Sequence, residues 1–238
     1  MLHRHGVLHD EPQGLLLDDM RSAVQASSLL ALVGSGCNRL SEIATRMGKP
    51  SGALTRPLAN LIELGYLRKD VPFGEDERST KRTLYRFHDP LVAFWFRFVQ
   101  PARTLLERDL LEPVEARLEA AFPQHCGQAW EVLARESVPR LGLGGVAWGP
   151  ASRWWGNGPD GPMEIDIVAE SLDGQSVLVG EAKWTARADV ARWRAELRVR
   201  SASAPFVRGR RLVTALWVKE AQAGDDIVTP DRVISALR

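Results

Sequence analysis

From Leu15 to Phe87 the apolar positions recur first at helical spacing and then in strand alternation. Leu15 to Val33 predicts one helix, stopped by Gly34-Ser35-Gly36. Ser41 to Met47 predicts a short second helix, with Gly48 as its C-terminal cap. A third helix, capped by Ser51, runs to about Leu64, with Leu54, Leu58, Leu61 and Ile62 on its buried side. Pro57 conflicts with a helix interior, because proline removes a hydrogen bond. A start at Leu54 or Thr55 would put it in the first turn, where it is tolerated. Tyr66–Lys69 and Arg82–Phe87 read as strands on either side of a polar, turn-rich stretch. Helix, helix, helix, hairpin is the order of a winged helix-turn-helix.

The next stretch, His88 to Pro101, is aromatic and apolar on every side. A helix of that kind is expected to be buried, here as a core helix joining two domains. Leu110–Phe122 and Gly127–Arg140 read as two helices separated by Pro123. Beyond Gly142 the pattern changes to short apolar strands. Arg153-Trp154-Trp155 reads as an edge strand and Gly156–Pro162 as a loop. Met163–Ala169 and Val177–Trp184 read as two strands joined by a hairpin turn at Asp173-Gly174. Asp189 to about Arg200 reads as a helix and Arg211–Val218 as a buried strand. The expected fold class is α+β / α/β. The expected division is a tail over 1–13, a winged helix over 14–87, linking helices over 88–125 and an α/β domain over 126–238.

Composition narrows the function classes only modestly. A chain of 238 residues with 45% hydrophobic and 26% charged residues is an ordinary globular protein. Net charge is +1, so any nucleic-acid surface must be local. Cys37 and Cys126 show no metal or disulfide spacing, which fits a reducing, cytoplasmic setting. Met1-Leu2-His3-Arg4-His5 lacks the apolar core of a signal peptide, and no apolar run reaches membrane-spanning length. His3, His5 and His9 read as a solvated terminus rather than a metal tract.

The chemistry gathers in the two central strands. Alternation puts Glu181 with Lys183 on one face, and Glu164 with Asp166 on one face. The hairpin brings Asp166 beside Glu181. Adjacent carboxylates repel unless a cation lies between them, and a divalent ion with oxygen ligands is the usual solution. Such an ion polarises a phosphate and lowers the pKa of an attacking water, while Lys183 offers a cation for the developing charge. Glu-x-Lys alone is ordinary on a strand's solvent face. It gains weight here because only Lys49, Lys69, Lys81, Lys183 and Lys219 are lysines among 31 basic residues.

The order Glu131, Asp166, Glu181-Ala182-Lys183 resembles the PD-(D/E)xK nuclease superfamily. Ile165 stands where the motif's proline would be. The resemblance implies a restriction-endonuclease-like α/β domain, with Glu131 on the opening helix and Glu136 as its rival. It implies Mg²⁺ or Mn²⁺ on Asp166, Glu181 and the Ala182 carbonyl, and a water-activating Lys183. A second resemblance covers nearly the whole chain. Tyr85, Phe87, Asp89-Pro90 and Phe94-Trp95-Phe96-Arg97-Phe98-Val99 resemble the region after the ATPase in prokaryotic AAA-type ATPases common in archaea. Trp154-Trp155, Glu164-Ile165-Asp166 and Gly180–Trp184 continue the match. That C-terminal region is a winged helix plus a domain of unknown function related to these nucleases. The chain has no Gly-x4-Gly-Lys-Ser/Thr loop, so no ATP site is expected. Leu8–Leu17 resembles the segment just after the ATPase. A stand-alone descendant and a piece of a longer protein both remain open.

For DNA, the third helix offers Thr55, Arg56 and Asn60, with Ser51 beside them. The wing offers Arg68, Lys69, Lys81 and Arg82, with Arg78, against Asp70, Glu75, Asp76 and Glu77. The back half carries a strip of Arg192, Arg194, Arg198, Arg200, Arg208, Arg210 and Arg211 against Glu196, suited to phosphate contacts. The expected function is a DNA-associated, metal-dependent nuclease-like protein. The alternative is a catalytically silent DNA- or partner-binding module of an ATPase system. Expected partners are DNA and a separate ATPase or a second copy, with no membrane.

Overall fold

The computed structural model describes residues 23–158, 161–187, 189–220 and 224–238. The expected tail, the first helix's start at Leu15, the segment Leu8–Leu17 and His3, His5 and His9 lie outside the described residues. Contacts divide the chain into two units. One runs up to Asp70 and resumes over Lys81–Phe122; the other holds Val71–Thr80 and Pro123–Arg238.

In the first unit, α1 (Ala23–Gly34), α2 (Leu40–Met47) and α3 (Ser51–Glu63) precede an antiparallel hairpin of β1 (Leu67–Asp70) and β2 (Leu84–Phe87). This is the winged-helix order read from the apolar pattern. Gly48 caps α2 in the left-handed conformation, with φ of 61°. The start of α3 differs from expectation. Pro50 is the N-cap and Ser51 the first helical residue, so Pro57 lies in the second turn. The carbonyl of Ala53 loses its partner there, but Ala53 is exposed, and water can replace the bond.

The aromatic stretch also differs. It breaks into α4 (Pro90–Phe94), a π-turn (Trp95–Val99), a 3-10 turn (Gln100–Ala102) and α5 (Arg103–Leu106). Asp89 caps α4 by accepting from Leu91 N at 2.6 Å. Trp95, Phe96, Val99, Ala102 and Leu106 pack with Leu29, Leu30, Leu54, Leu58 and Leu61 in one core. The segment therefore completes the first unit's core rather than joining two domains.

The expected helix pair around Pro123 is a single helix, α6 (Glu112–Leu141), with Pro123 and Pro139 inside it. Pro123 is exposed, and the carbonyl it deprives of a helical donor belongs to Glu119, which is exposed as well, so water can replace that bond. The longer segment of the second unit begins at Pro123, inside this helix.

Its sheet has the order β3-β4-β5-β6-β7. The strands are β3 (Ser152–Gly158), β4 (Gly161–Glu170), β5 (Ser176–Lys183), β6 (Arg211–Val218) and β7 (Ile227–Val228). β3, β4 and β5 are antiparallel neighbours; β5, β6 and β7 run parallel. The expected loop over Gly156–Pro162 instead extends β3 and β4 into one hairpin, with Gly158 paired to Gly161. Helix α7 (Val190–Ser203) joins β5 to β6, and α8 (Pro230–Leu237) closes the chain. Asp189 caps α7 by accepting from Arg192 N at 3.1 Å.

Two apolar layers sandwich the sheet. Trp130, Ala134 and Val138 of α6 pack with Ile167, Ala169, Leu178, Ala215 and Trp217. Leu197 of α7 packs with Ile165, Val168, Val177, Val179, Leu216 and Val218 on the other side. Trp217 fixes the first layer: its ring N–H donates to Ser137 Oγ, and its carbonyl accepts from the Trp130 ring. Gly180 lets that ring approach β5 closely, since a Cβ there would meet Trp217 Cζ3 at 2.5 Å. Among the described residues no helix is long and apolar enough to cross a membrane.

Candidate functional site

The register of β4 puts Asp166 at an irregularity. Ser152 pairs with Val168 and Trp154 with Ile165, so β4 spends one residue more than β3 between these pairs. The extra residue falls at Asp166-Ile167. Ile165 and Val168 consequently share the α7-side core while Ile167 faces the α6 side. A bulge of this kind re-aims a side chain. It also breaks the simple alternation that would put Glu164 and Asp166 on a common face.

On β5 the hairpin register is regular, with Ile167 opposite Gly180. Asp166 and Glu181 follow as neighbours on adjacent strands. Asp166 Oδ2 accepts the backbone N–H of Ala182 at 3.0 Å. The turn is set by Asp173, whose carboxylate accepts from Ser171 Oγ and, at 3.0 Å, from Gln175 N. Those bonds hold its pKa below the ordinary value.

Glu181 is only 4% exposed. Lys183 Nζ lies 2.6 Å from one carboxylate oxygen, which places the two side chains on a common face. Arg200 of α7 donates to the other oxygen at 2.7 Å and also to the Glu164 carbonyl at 3.2 Å. Burial first, and then the charge of Asp166, push the Glu181 pKa up; the hydrogen bond from Lys183 and the charges of Lys183 and Arg200 pull against that rise.

Glu131 is half-buried on α6, where Arg135 lies 3.9 Å from its carboxylate. Arg135 also donates to the Asp166 carbonyl at 2.9 Å, tying the helix to the bulge. Glu136 is exposed on that helix. Among the described residues no group of three or more His, Cys, Asp or Glu side chains is gathered for a metal.

Two arginines of this cluster escaped the reading of the residues as site members. Arg135 had a weak signal, four positions after Glu131. Arg200 had none beyond its place in the basic strip, because its partner is 19 positions away on another element. Lys219 is a further neighbour: its N–H donates to the Lys183 carbonyl at 3.1 Å, and its ammonium lies 5.7 Å from the Trp184 ring centroid. The Trp130 ring backs Trp184 at 5.4 Å.

The expected DNA contacts are dispersed. Thr55, Arg56 and Asn60 are exposed along α3, though the Thr55 hydroxyl bonds back to Ser51 O. Arg68 is paired with Asp70 at 3.0 Å, and Lys69 is half-buried on β1. Lys81 and Arg82 are exposed before β2. On α7, Arg192 is paired with Glu196 at 2.7 Å. Arg194 grips Asp226 through two bonds of 2.6 and 2.9 Å, and Arg198 is exposed.

An uncharacterized protein of Methanocaldococcus jannaschii is 28% identical over 159 residues, covering 66% of this chain. The chain spans 35% of that relative's length. No solved structure matches the chain. Residues 95–195, from the aromatic segment through Glu131, Asp166, Glu181 and Lys183, match the DUF234 family, described as archaeal and bacterial proteins of unknown function.

Proposed function

We propose that the second unit is a nuclease-like module that acts on nucleic-acid phosphodiesters with Mg²⁺ or Mn²⁺, in the manner of PD-(D/E)xK enzymes. The observation that carries this reading is Glu181, a buried carboxylate with a raised pKa beside Asp166 and in contact with Lys183. Carboxylates shifted by burial and held by a specific charged partner mark functional sites more often than plain surface.

Two hard oxygen donors suit Mg²⁺ or Mn²⁺, which are commonly held by one or two carboxylates with water completing the shell. Asp166 and Glu181 would hold the ion, with the Ala182 carbonyl and, through water, Glu131. When bound, the ion would supply Lewis-acid polarisation of the phosphate and a water of lowered pKa. Lys183 is suited to orient the attacking water and to offset charge on the phosphate oxygens. Arg135 keeps Glu131 and the bulge in register. The first unit's helices and hairpin would serve as a DNA-binding winged helix through Thr55, Arg56, Asn60, Lys81 and Arg82. A cytoplasmic setting, a role as the C-terminal part of an AAA-type ATPase, and partnership with an ATPase in a longer chain or with a second copy belong to the same proposal.

A second reading is favoured by Arg200. Lys183 and Arg200 together neutralise Glu181, which would suit a catalytically silent module that binds DNA or a partner. One experiment separates the two: cleavage of linear, branched and single-stranded DNA with Mg²⁺ or Mn²⁺ by wild type and Asp166→Ala. Metal-dependent cutting lost in the variant supports the enzyme; no cutting of any substrate supports the silent module.

A further inference from the structure

We propose that Arg200 is a latch on the Glu181 carboxylate, displaced when a nucleic-acid phosphate arrives, so that metal and nucleic acid bind together rather than singly. This rests on the metal-dependent reading above. Each oxygen of Glu181 is taken: one by Lys183 at 2.6 Å, the other by Arg200 at 2.7 Å. Each oxygen keeps a second lone pair, but the side chain is only 6% exposed and a cation already lies against each oxygen, so an arriving ion meets like charge on either approach. A divalent ion shared by Asp166 and Glu181 needs one of those oxygens, and one cation must yield.

Arg200 is the cation suited to yield. Lys183 sits two residues from Glu181 on the same strand and moves with it. Arg200 reaches in from a separate element, α7; its side chain is about as exposed as that of Lys183, 30% against 35%, so it is the element carrying it that sets it apart. Its second tether, to the Glu164 carbonyl, is 3.2 Å, at the long end of the hydrogen-bond range. A guanidinium fork matches a phosphate's paired oxygens as well as it matches a carboxylate.

Charge works in the same direction. Asp166 and Glu181 are already balanced by Lys183 and Arg200, so an ion arriving alone meets two cations and no net negative charge. A phosphodiester brings a negative charge and a new partner for Arg200, and Glu181 is released to the ion. By linkage, each ligand must then tighten the other by the same factor.

The test is Mn²⁺ titration, read by electron paramagnetic resonance, of wild type, Arg200→Gln and Asp166→Ala. Each is titrated alone and with a short phosphorothioate oligonucleotide; Asp166→Ala supplies the background from metal on the oligonucleotide. Wild type should bind Mn²⁺ weakly alone and about tenfold more tightly with the oligonucleotide, within the usual range for coupled sites. Arg200→Gln should bind tightly already, with little further gain. If that variant does not fold, the reciprocal measurement on wild type decides: oligonucleotide affinity should rise by the same factor when Mn²⁺ is added. Equal Mn²⁺ affinity of wild type and Arg200→Gln, or no change with the oligonucleotide, overturns the latch. Mn²⁺ bound by neither protein under either condition overturns the metal-dependent reading and the latch with it.

Discussion

The carboxylate of Asp166 is fastened to the backbone of Ala182, 3.0 Å across the strand pair. The bond crosses from the bulge of β4 to the residue between Glu181 and Lys183, so one side chain fixes the spacing of the whole cluster. Asp166→Ala should therefore have two separable effects. Loss of the bond should lower stability by about 1 kcal/mol, read in urea melts. Mn²⁺ binding and any cleavage should vanish. Asp166→Asn, which can still accept the bond, should recover the stability and not the metal.

Lys183 is bonded to Glu181 but is half-exposed and outside both apolar layers. Lys183→Ala should abolish metal-dependent cleavage while DNA affinity stays near wild type, and the melting temperature should fall modestly because buried Glu181 loses one of its two cations. A nuclease assay beside fluorescence anisotropy checks this; a Lys183→Ala protein that cuts normally would remove Lys183 from the chemistry.

Glu181 gives a pH dependence of definite sign. Its folded pKa lies above the ordinary value of 4.5, chiefly because of burial and then Asp166. The folded state thus holds the proton more tightly than the unfolded chain. The associated stability is fully present below 4.5 and is lost as pH rises through the folded value. In metal-free protein, the difference between wild type and Glu181→Gln should shift against wild type as pH rises across that window. A difference that does not change with pH, measured by thermal melts in EDTA, would contradict this.

The arginines of α7 should separate into two kinds. Arg194 is committed to Asp226, so Arg194→Ala should cost about 1 kcal/mol or less for this partly exposed pair and leave salt dependence unchanged. Arg198 is exposed. If it meets a phosphate, Arg198→Ala should flatten the plot of log affinity against log salt by about one unit. Anisotropy titrations over a salt series decide it.

Gly180 should resist substitution. A methyl group at 180 would meet Trp217 Cζ3 at 2.5 Å and Ile167 Cβ at 3.1 Å. Gly180→Ala should destabilise by about 1–3 kcal/mol through overpacking, read as a lowered denaturant midpoint.

Much of this architecture was legible because it is written in local periodicity. The helix spacing of Leu54, Leu58 and Leu61, the Asp173-Gly174 turn and the apolar runs on either side of it each report on a few neighbouring residues. The pairing of Glu181 with Lys183 followed from strand alternation alone. What escaped depends on distant partners or on solvent. Pro123 reads as a break, and only its exposure lets the helix pass through it. Nothing beside Asp166 announces a bulge, which shows only in the register between β3 and β4. Arg200 looks like its neighbours in the basic strip until α7 folds back and sets it against Glu181.

The excursion of residues 71–80 into the second unit bears on how the protein is made. Phe73 donates its N–H to the Arg153 carbonyl and packs its ring 5.3 Å from that of Phe206. On the ribosome the stretch is synthesised long before Phe206 emerges, so the hairpin's ends can pair early while its middle waits without its hydrophobic partner. Closing contacts across so long an interval is slow. Phe73 is therefore exposed through most of synthesis, and proteolysis or chaperone capture of nascent chains should concentrate between β1 and β2 until β3 and the segment holding Phe206 are in place.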